Sequence, residues 1–296
     1  MRTPRFSPLL LVAACLAGSA ASVQGGELQA IREDAQGYAP SGPSSAPSSP
    51  PTSDTPCENR SNSREPSAYV EEEGNIFFAT MCLAGAAVTS PLWGPFAITG
   101  DSSLLDSGYF PRFPYDDFQG YIQTRDVAAK TKPWAVRLDA EYAETFNHLD
   151  NVIDGHLLIE TAPRFGLAAS VNHLEEKLDD GGRDRLDLGD CNLVYRFAQG
   201  EWGEFRAGLG VNWLADPRGS DEVGFNFTYA FDIYPRKPWV WSTAIDWGTL
   251  GDAELFRFRT TIGVVWHGVE TYTGYEYTDI DRSRWNSLVA GLRFWF

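Results

Sequence analysis

From Trp134 to Phe296 apolar and polar residues alternate with a period of two, the pattern of strands whose two faces meet different surroundings. Val223, Phe225, Phe227, Tyr229, Phe231 and Ile233 share one face of such a segment, and Gly224, Asn226, Thr228, Ala230 and Asp232 share the other. The next segment sets Trp239, Trp241, Thr243, Ile245 and Trp247 against Ser242, Ala244, Asp246 and Gly248. Ten segments of this kind are expected, near 134–146, 151–162, 164–175, 186–198, 203–215, 222–234, 238–250, 254–267, 268–279 and 285–296. The fold class they predict is all-β, an antiparallel up-and-down barrel of about ten strands preceded by a disordered or partly helical N-terminal region, because an even meander closes most simply on itself.

Alternation does not by itself say which face is outside. About five large apolar residues per strand, many of them aromatic, exceed what the lumen of a barrel this size holds. The opposite face carries Gly, Ser, Ala, Asn and charges of both signs, a set that packs and pairs inside a narrow lumen. The apolar face is therefore expected to point outward into lipid; a flattened β-sandwich, which escapes the volume argument, is the alternative. The connections divide into a short class, such as Trp266-His267-Gly268 and Ala162-Pro163-Arg164, and an acidic, longer class, such as Glu175 to Arg185 and Asp216 to Glu222. Transmembrane barrels have this asymmetry, with the short turns periplasmic. Trp239, Trp241, Trp266 and Phe296 fall at the short-turn rim, and Trp213, Trp247, Tyr275 and Tyr277 near the other, as two aromatic girdles would.

Leu288, Ala290, Leu292, Phe294 and Phe296 alternate up to the end of the sequence. This ending resembles the C-terminal signal of bacterial outer-membrane β-barrel proteins, over the last strand by motif and over 134–296 by pattern. The resemblance implies a transmembrane barrel in the cell outer membrane, in contact with outer-membrane lipid. It also implies insertion by the barrel-assembly machinery, with Leu292, Phe294 and Phe296 as the assembly signal.

The N-terminal part fits export. Arg2 and Arg5 precede the apolar run Leu9 to Leu16, and Ser19-Ala20-Ala21 supplies small residues for cleavage, so residues 1–21 read as a secretory signal peptide. Val12-Ala13-Ala14-Cys15 also resembles a lipobox, although Cys15 serves equally as a small hydrophobe within the run. Residues 22–70 are rich in Ser and Pro and are expected to form a disordered linker without a site. Residues 71–133 hold an apolar stretch over 76–98, broken by Pro91 and Pro95, and an aromatic, Pro-rich lead-in. The break leaves that stretch closer to a packed or interfacial helix than to a spanning one.

Composition narrows the function classes. The 296 residues carry 40 acids against 24 bases, a net charge of -16, which argues against a basic footprint for nucleic acid. From Trp134 onward the count is 26 acids against 15 bases, a net of -11, so most of the acidity belongs to the barrel's loops and lumen. Those in the lumen are expected to be Arg137, Asp139, Glu141, Asp190, Arg196, Arg206, Asp232, Asp246, Arg257, Arg259, Glu270, Glu276 and Arg293. Arg or Lys facing lipid at the midplane costs about 2–4 kcal/mol, so Arg257 and Arg259 alone fix the register of their strand.

Three functional readings remain open. The first is a structural role, with a charged lumen largely filled by side chains; the second is a narrow channel for ions or small polar solutes. The third is a barrel-embedded hydrolase, for which His156, Glu160 and Ser170 are the best set among only four His, although no motif marks a nucleophile. Asp179, Asp180 and Asp184 supply carboxylates for Ca²⁺ in one hairpin, without EF-hand spacing, so a solvated acidic loop is expected and no metal. No dinucleotide fingerprint, phosphate loop or zinc spacing is present, so no cofactor is expected.

Overall fold

The computed structural model describes residues 26–37, 91, 93–101, 103, 106–124, 130–146, 151–178, 182–219 and 221–296. Ten antiparallel strands form a closed barrel in which each pairs with its sequence neighbours and β1 closes on β10. They are β1 Trp134–Thr145, β2 Asn151–Thr161, β3 Phe165–Lys177, β4 Arg183–Gly200 and β5 Gly203–Ala215. The second half comprises β6 Glu222–Arg236, β7 Trp239–Leu250, β8 Ala253–Trp266, β9 Val269–Ile280 and β10 Ser283–Trp295. The sandwich alternative is thereby removed.

The parity read from the sequence sorts the side chains as expected. Leu138, Tyr142, Leu193, Leu209, Phe225, Trp241, Ile262 and Phe294 stand exposed on the outer surface, whereas Asp139, Glu141, Arg206, Asp232, Arg257, Arg259 and Arg293 are buried inside. Backbone groups are satisfied by the closed ladder, so no strand edge is left open.

The connections depart from expectation at one end. Strands β7 and β8 are joined by Gly251 and Asp252 alone, and β9 and β10 by Asp281 and Arg282 alone. Alternation continues through acidic residues such as Glu254 and Asp279, so the strands run further than the polar composition of those stretches suggested. Only the β1–β2, β3–β4 and β5–β6 connections are longer than the turns at the opposite rim. There, His267 and Gly268 both take positive φ (50° and 84°), the requirement of a two-residue hairpin turn of the primed type. Both ends of the barrel, Trp134 and Phe296, lie at this short-turn rim.

Two segments outside the strands pack into the barrel, one at each mouth. The helix α1, Glu27–Ala35, lies within the 22–70 range read as a disordered linker; that reading is corrected for these residues, and the helix agrees with the expectation of a partly helical region ahead of the barrel. Its Leu28, Ile31 and Ala35 form an apolar face that mean composition over 22–70 conceals, and they are buried against the long-loop end of the lumen. At the short-turn mouth, Phe110, Tyr115, Tyr121 and Ile122 from the lead-in pack on Tyr234, Val240, Val265 and Trp295. Residues 93–99 are helical; no helix among the described residues is long and apolar enough to cross a membrane. Cys15, most of the Ser/Pro-rich segment and residues 76–90 lie outside the described residues.

Candidate functional site: a charged lumen between two stoppers

The lumen has three levels. At the short-turn end the lead-in is tied down by Arg164, at the β2–β3 turn, whose guanidinium donates to the Asp101 carboxylate (2.7 and 3.2 Å) and to the carbonyl of Asp106 (2.8 Å). Gln199 donates to the same carbonyl through its side chain and to Asp101 through its backbone N–H. Gly120 passes so close to the barrel, with φ +90°, that a Cβ there would fall 1.6 Å from the carbonyl oxygen of Glu201. Only glycine fits that crossing.

Above this stopper lies a dense ion-pair level. Arg293 donates to Asp139 (2.9 Å) and Glu270 (2.8 Å), and Glu270 also accepts from the Trp295 indole. Asp232 bridges Arg137 (2.8 Å) and Arg206 (2.6 Å), while Arg196 donates to Glu160 (2.9 Å) and Arg206 reaches Glu204 (2.9 Å). Apart from the partly exposed Arg137 these groups are buried, so each pair has surrendered hydration that its partner replaces.

The next level is poorer in cations. Glu141 accepts from Arg259, Tyr272 (2.7 Å) and His156 (3.2 Å), and Arg257 lies 3.3 Å from Asp190. Asp154, Asp246 and Glu276 complete it. A cavity of about 90 Å³ runs beside His156, Ser170, Asp190, Arg257 and Arg259, room for no more than a handful of waters.

The third level is the apolar funnel filled by α1. Leu174, Leu186, Leu188, Leu214, Leu250, Leu255, Ile280 and Trp285 project inward there and close on Leu28 and Ile31. Polar contacts orient the helix. The backbone N–H groups of Glu27 and Leu28 donate to the Glu176 carboxylate (2.9 and 3.0 Å), an anion at the helix N-terminus where the dipole favours it. Arg32 is clamped between Asp184 and Asp216, and Asp34 accepts from Arg282 and Ser283. The Asp184 carboxylate, and then that of Asp216, raise the Arg32 pKa and keep it charged against its partial burial.

The candidate sets from the sequence fare differently. All thirteen expected lumen residues point inward and have an ion-pair or hydrogen-bond partner among lumen side chains; that of Asp246 is Asn226, at 3.4 Å. His156, Glu160 and Ser170 are not brought together as a catalytic unit. His156 contacts Glu141, Glu160 pairs with Arg196, and Ser170 donates to Asp190. Asp184, weighed as a Ca²⁺ ligand, is committed to Arg32 and Arg218, while Asp179 and Asp180 lie outside the described residues. Asp154 and Glu204 are lumen groups that the sequence reading does not single out, although Asp154 shares the parity of His156 and Glu160, and Glu204 that of Arg206.

No family model matches the chain, and no curated protein matches it. Solved structures give distant likenesses. The N-terminal β-barrel domain of Pseudomonas aeruginosa OprF is 10% identical with a TM-score of 0.29, covering 55% of this chain and 97% of that one. The Yersinia pestis outer membrane protein Ail is 12% identical with a TM-score of 0.31, covering 55% and 99%. The β domain of the Bordetella autotransporter BrkA is 11% identical with a TM-score of 0.31, covering 55% and 98%. At this level the likeness identifies no relative.

Proposed function

We propose that this chain is an outer-membrane β-barrel with a structural role, closed to solute by its own side chains and by two segments of its own N-terminal region. The outward Leu, Phe, Val and Trp and the inward charges support a lipid-embedded barrel, because the reverse placement would put Arg257 and Arg259 in hydrocarbon. With both barrel ends at the short-turn rim, that rim is the periplasmic one and α1 occupies the outer mouth. The observation that carries closure is the layering: a paired charge level held between two apolar stoppers, with a residual cavity of about 90 Å³. An open channel would need a continuous wet path across all three levels.

The experiment is conductance in planar bilayers with the whole protein, its folding checked by heat-modifiable gel migration. The wild type is expected to be silent. Arg32→Ala, which unclamps α1, is expected to leave it silent too, because the lead-in still seals the other mouth. Steady conductance from the wild type, altered by Arg257→Ala or Glu270→Ala, would replace this reading with the narrow channel for ions or small polar solutes.

A further inference from the structure

The cation-poor level of the lumen holds more carboxylate than its arginines can neutralise. Among the described residues, Glu141, Asp154, Asp190, Asp246 and Glu276 share this level with two arginines, Arg257 and Arg259, and with His156, an excess of three carboxylates over arginines. Arg257 sits with Asp190, and Arg259 with Glu141, which Tyr272 and His156 also contact. Asp154 and Glu276 are left without a dedicated cation; Arg259 Nε approaches Glu276 only to 3.7 Å.

Asp154 is 2% exposed, and neither of its carboxylate oxygens has a hydrogen-bond partner. Glu276 Oε2 and, directly across from Asp154 on β3, the side-chain oxygen of Asn172 are buried and accept no hydrogen bond either. Four orphaned acceptor oxygens thus belong to three inward residues of β2, β3 and β9. A buried acceptor without a donor is costly, and a buried carboxylate more so. Oxygens of Glu141, Asp154 and Glu276 lie within 4.8 Å of one another. Ca²⁺ takes six to eight oxygens at about 2.3–2.6 Å in flexible geometry, whereas Mg²⁺ demands a near-ideal octahedron at about 2.0–2.1 Å and keeps several waters, which a site this buried leaves little room for.

We propose that this cluster is a binding site for one hard divalent cation, Ca²⁺ in preference to Mg²⁺. Asp154 and Glu276 are the charged ligands, Asn172 supplies a neutral oxygen, and Glu141 is shared with Arg259. The two carboxylates match the charge of the ion, and bidentate coordination by both brings the oxygens to six, the lower end of what Ca²⁺ takes. The inference needs only the barrel and its lumen; it goes beyond the structural role proposed above and does not depend on the membrane.

The test is to refold the whole protein in detergent with CaCl₂, remove free ion by gel filtration and measure bound metal by mass spectrometry. About one Ca²⁺ per barrel is expected in the wild type, with at least a tenfold loss in Asp154→Asn and Glu276→Gln. Asp179→Asn with Asp180→Asn, in the acidic hairpin, is expected to retain it. Each variant must keep heat-modifiable migration to count. Should the lumen variants fail to fold, the wild type decides alone: bound Ca²⁺ and a urea midpoint higher in Ca²⁺ than in EGTA support the site. Absence of retained metal in folded wild type, or equal retention in folded Asp154→Asn, overturns it and leaves protons as what neutralises these carboxylates. A failure here would leave the silent-barrel reading standing, since conductance tests that separately.

Discussion

Replacing Arg293 by methionine removes the cation at the centre of the densest lumen level while nearly conserving the volume of the side chain. Arg293 is 0% exposed, donates to Asp139 at 2.9 Å, to Glu270 at 2.8 Å and to Ser242 at 3.1 Å, and stacks 4.7 Å from the Tyr272 ring centroid. In the variant Asp139 keeps only Arg137, 3.8 Å away, and Glu270 keeps only the Trp295 indole. Breaking a buried pair by removing one partner costs about 3–5 kcal/mol, because the stranded charge stays desolvated. At about 1.4 kcal/mol per decade, the unfolding equilibrium shifts between about a hundredfold and a few thousandfold. The assay is a urea titration in lipid vesicles, followed by tryptophan fluorescence and by heat-modifiable migration. Adding Asp139→Asn and Glu270→Gln should restore most of the loss, since it removes the stranded charges. A single variant within about 1 kcal/mol of the wild type would refute the reasoning. Water would then be solvating these carboxylates, and the lumen would be open where it is taken to be sealed.

Two further outcomes test the placement of the barrel. Leu209 is 58% exposed in the middle of β5, so Leu209→Arg should cost about 2–4 kcal/mol in vesicles by the same titration, and an unchanged midpoint would argue against a lipid-facing surface. With the native cysteines replaced by serine, Gln36→Cys at the end of α1 should react with a membrane-impermeant maleimide on intact cells, and Asp117→Cys in the lead-in only after lysis; the reverse pattern would invert the proposed orientation.

A period of two is a local property, set by the pleat of each strand, and so the number of strands, their register of inside and outside, and the inward course of thirteen charged residues were legible without tertiary information. The C-terminal alternation of Leu292, Phe294 and Phe296 belongs to the same class of signal. The partners of the charged residues were not legible. Arg293 meets Asp139 on the adjacent β1, but Arg137 meets Asp232 and Arg259 meets Glu141 across the lumen, and such distances depend on closure and stagger. Inward leucines such as Leu174, Leu186 and Leu255 read as flaws in the alternation until α1 is seen to fill the space between them. Likewise, Phe110 and Tyr121 have no periodic neighbours, and their burial is decided by Tyr234 and Trp295, more than a hundred residues away. The sequence by itself determined a barrel and its two faces, because each residue's direction follows from its own strand. Only the tertiary structure decided that the barrel is stoppered at both mouths and short of cations at one level, because those features exist only between segments that closure brings together.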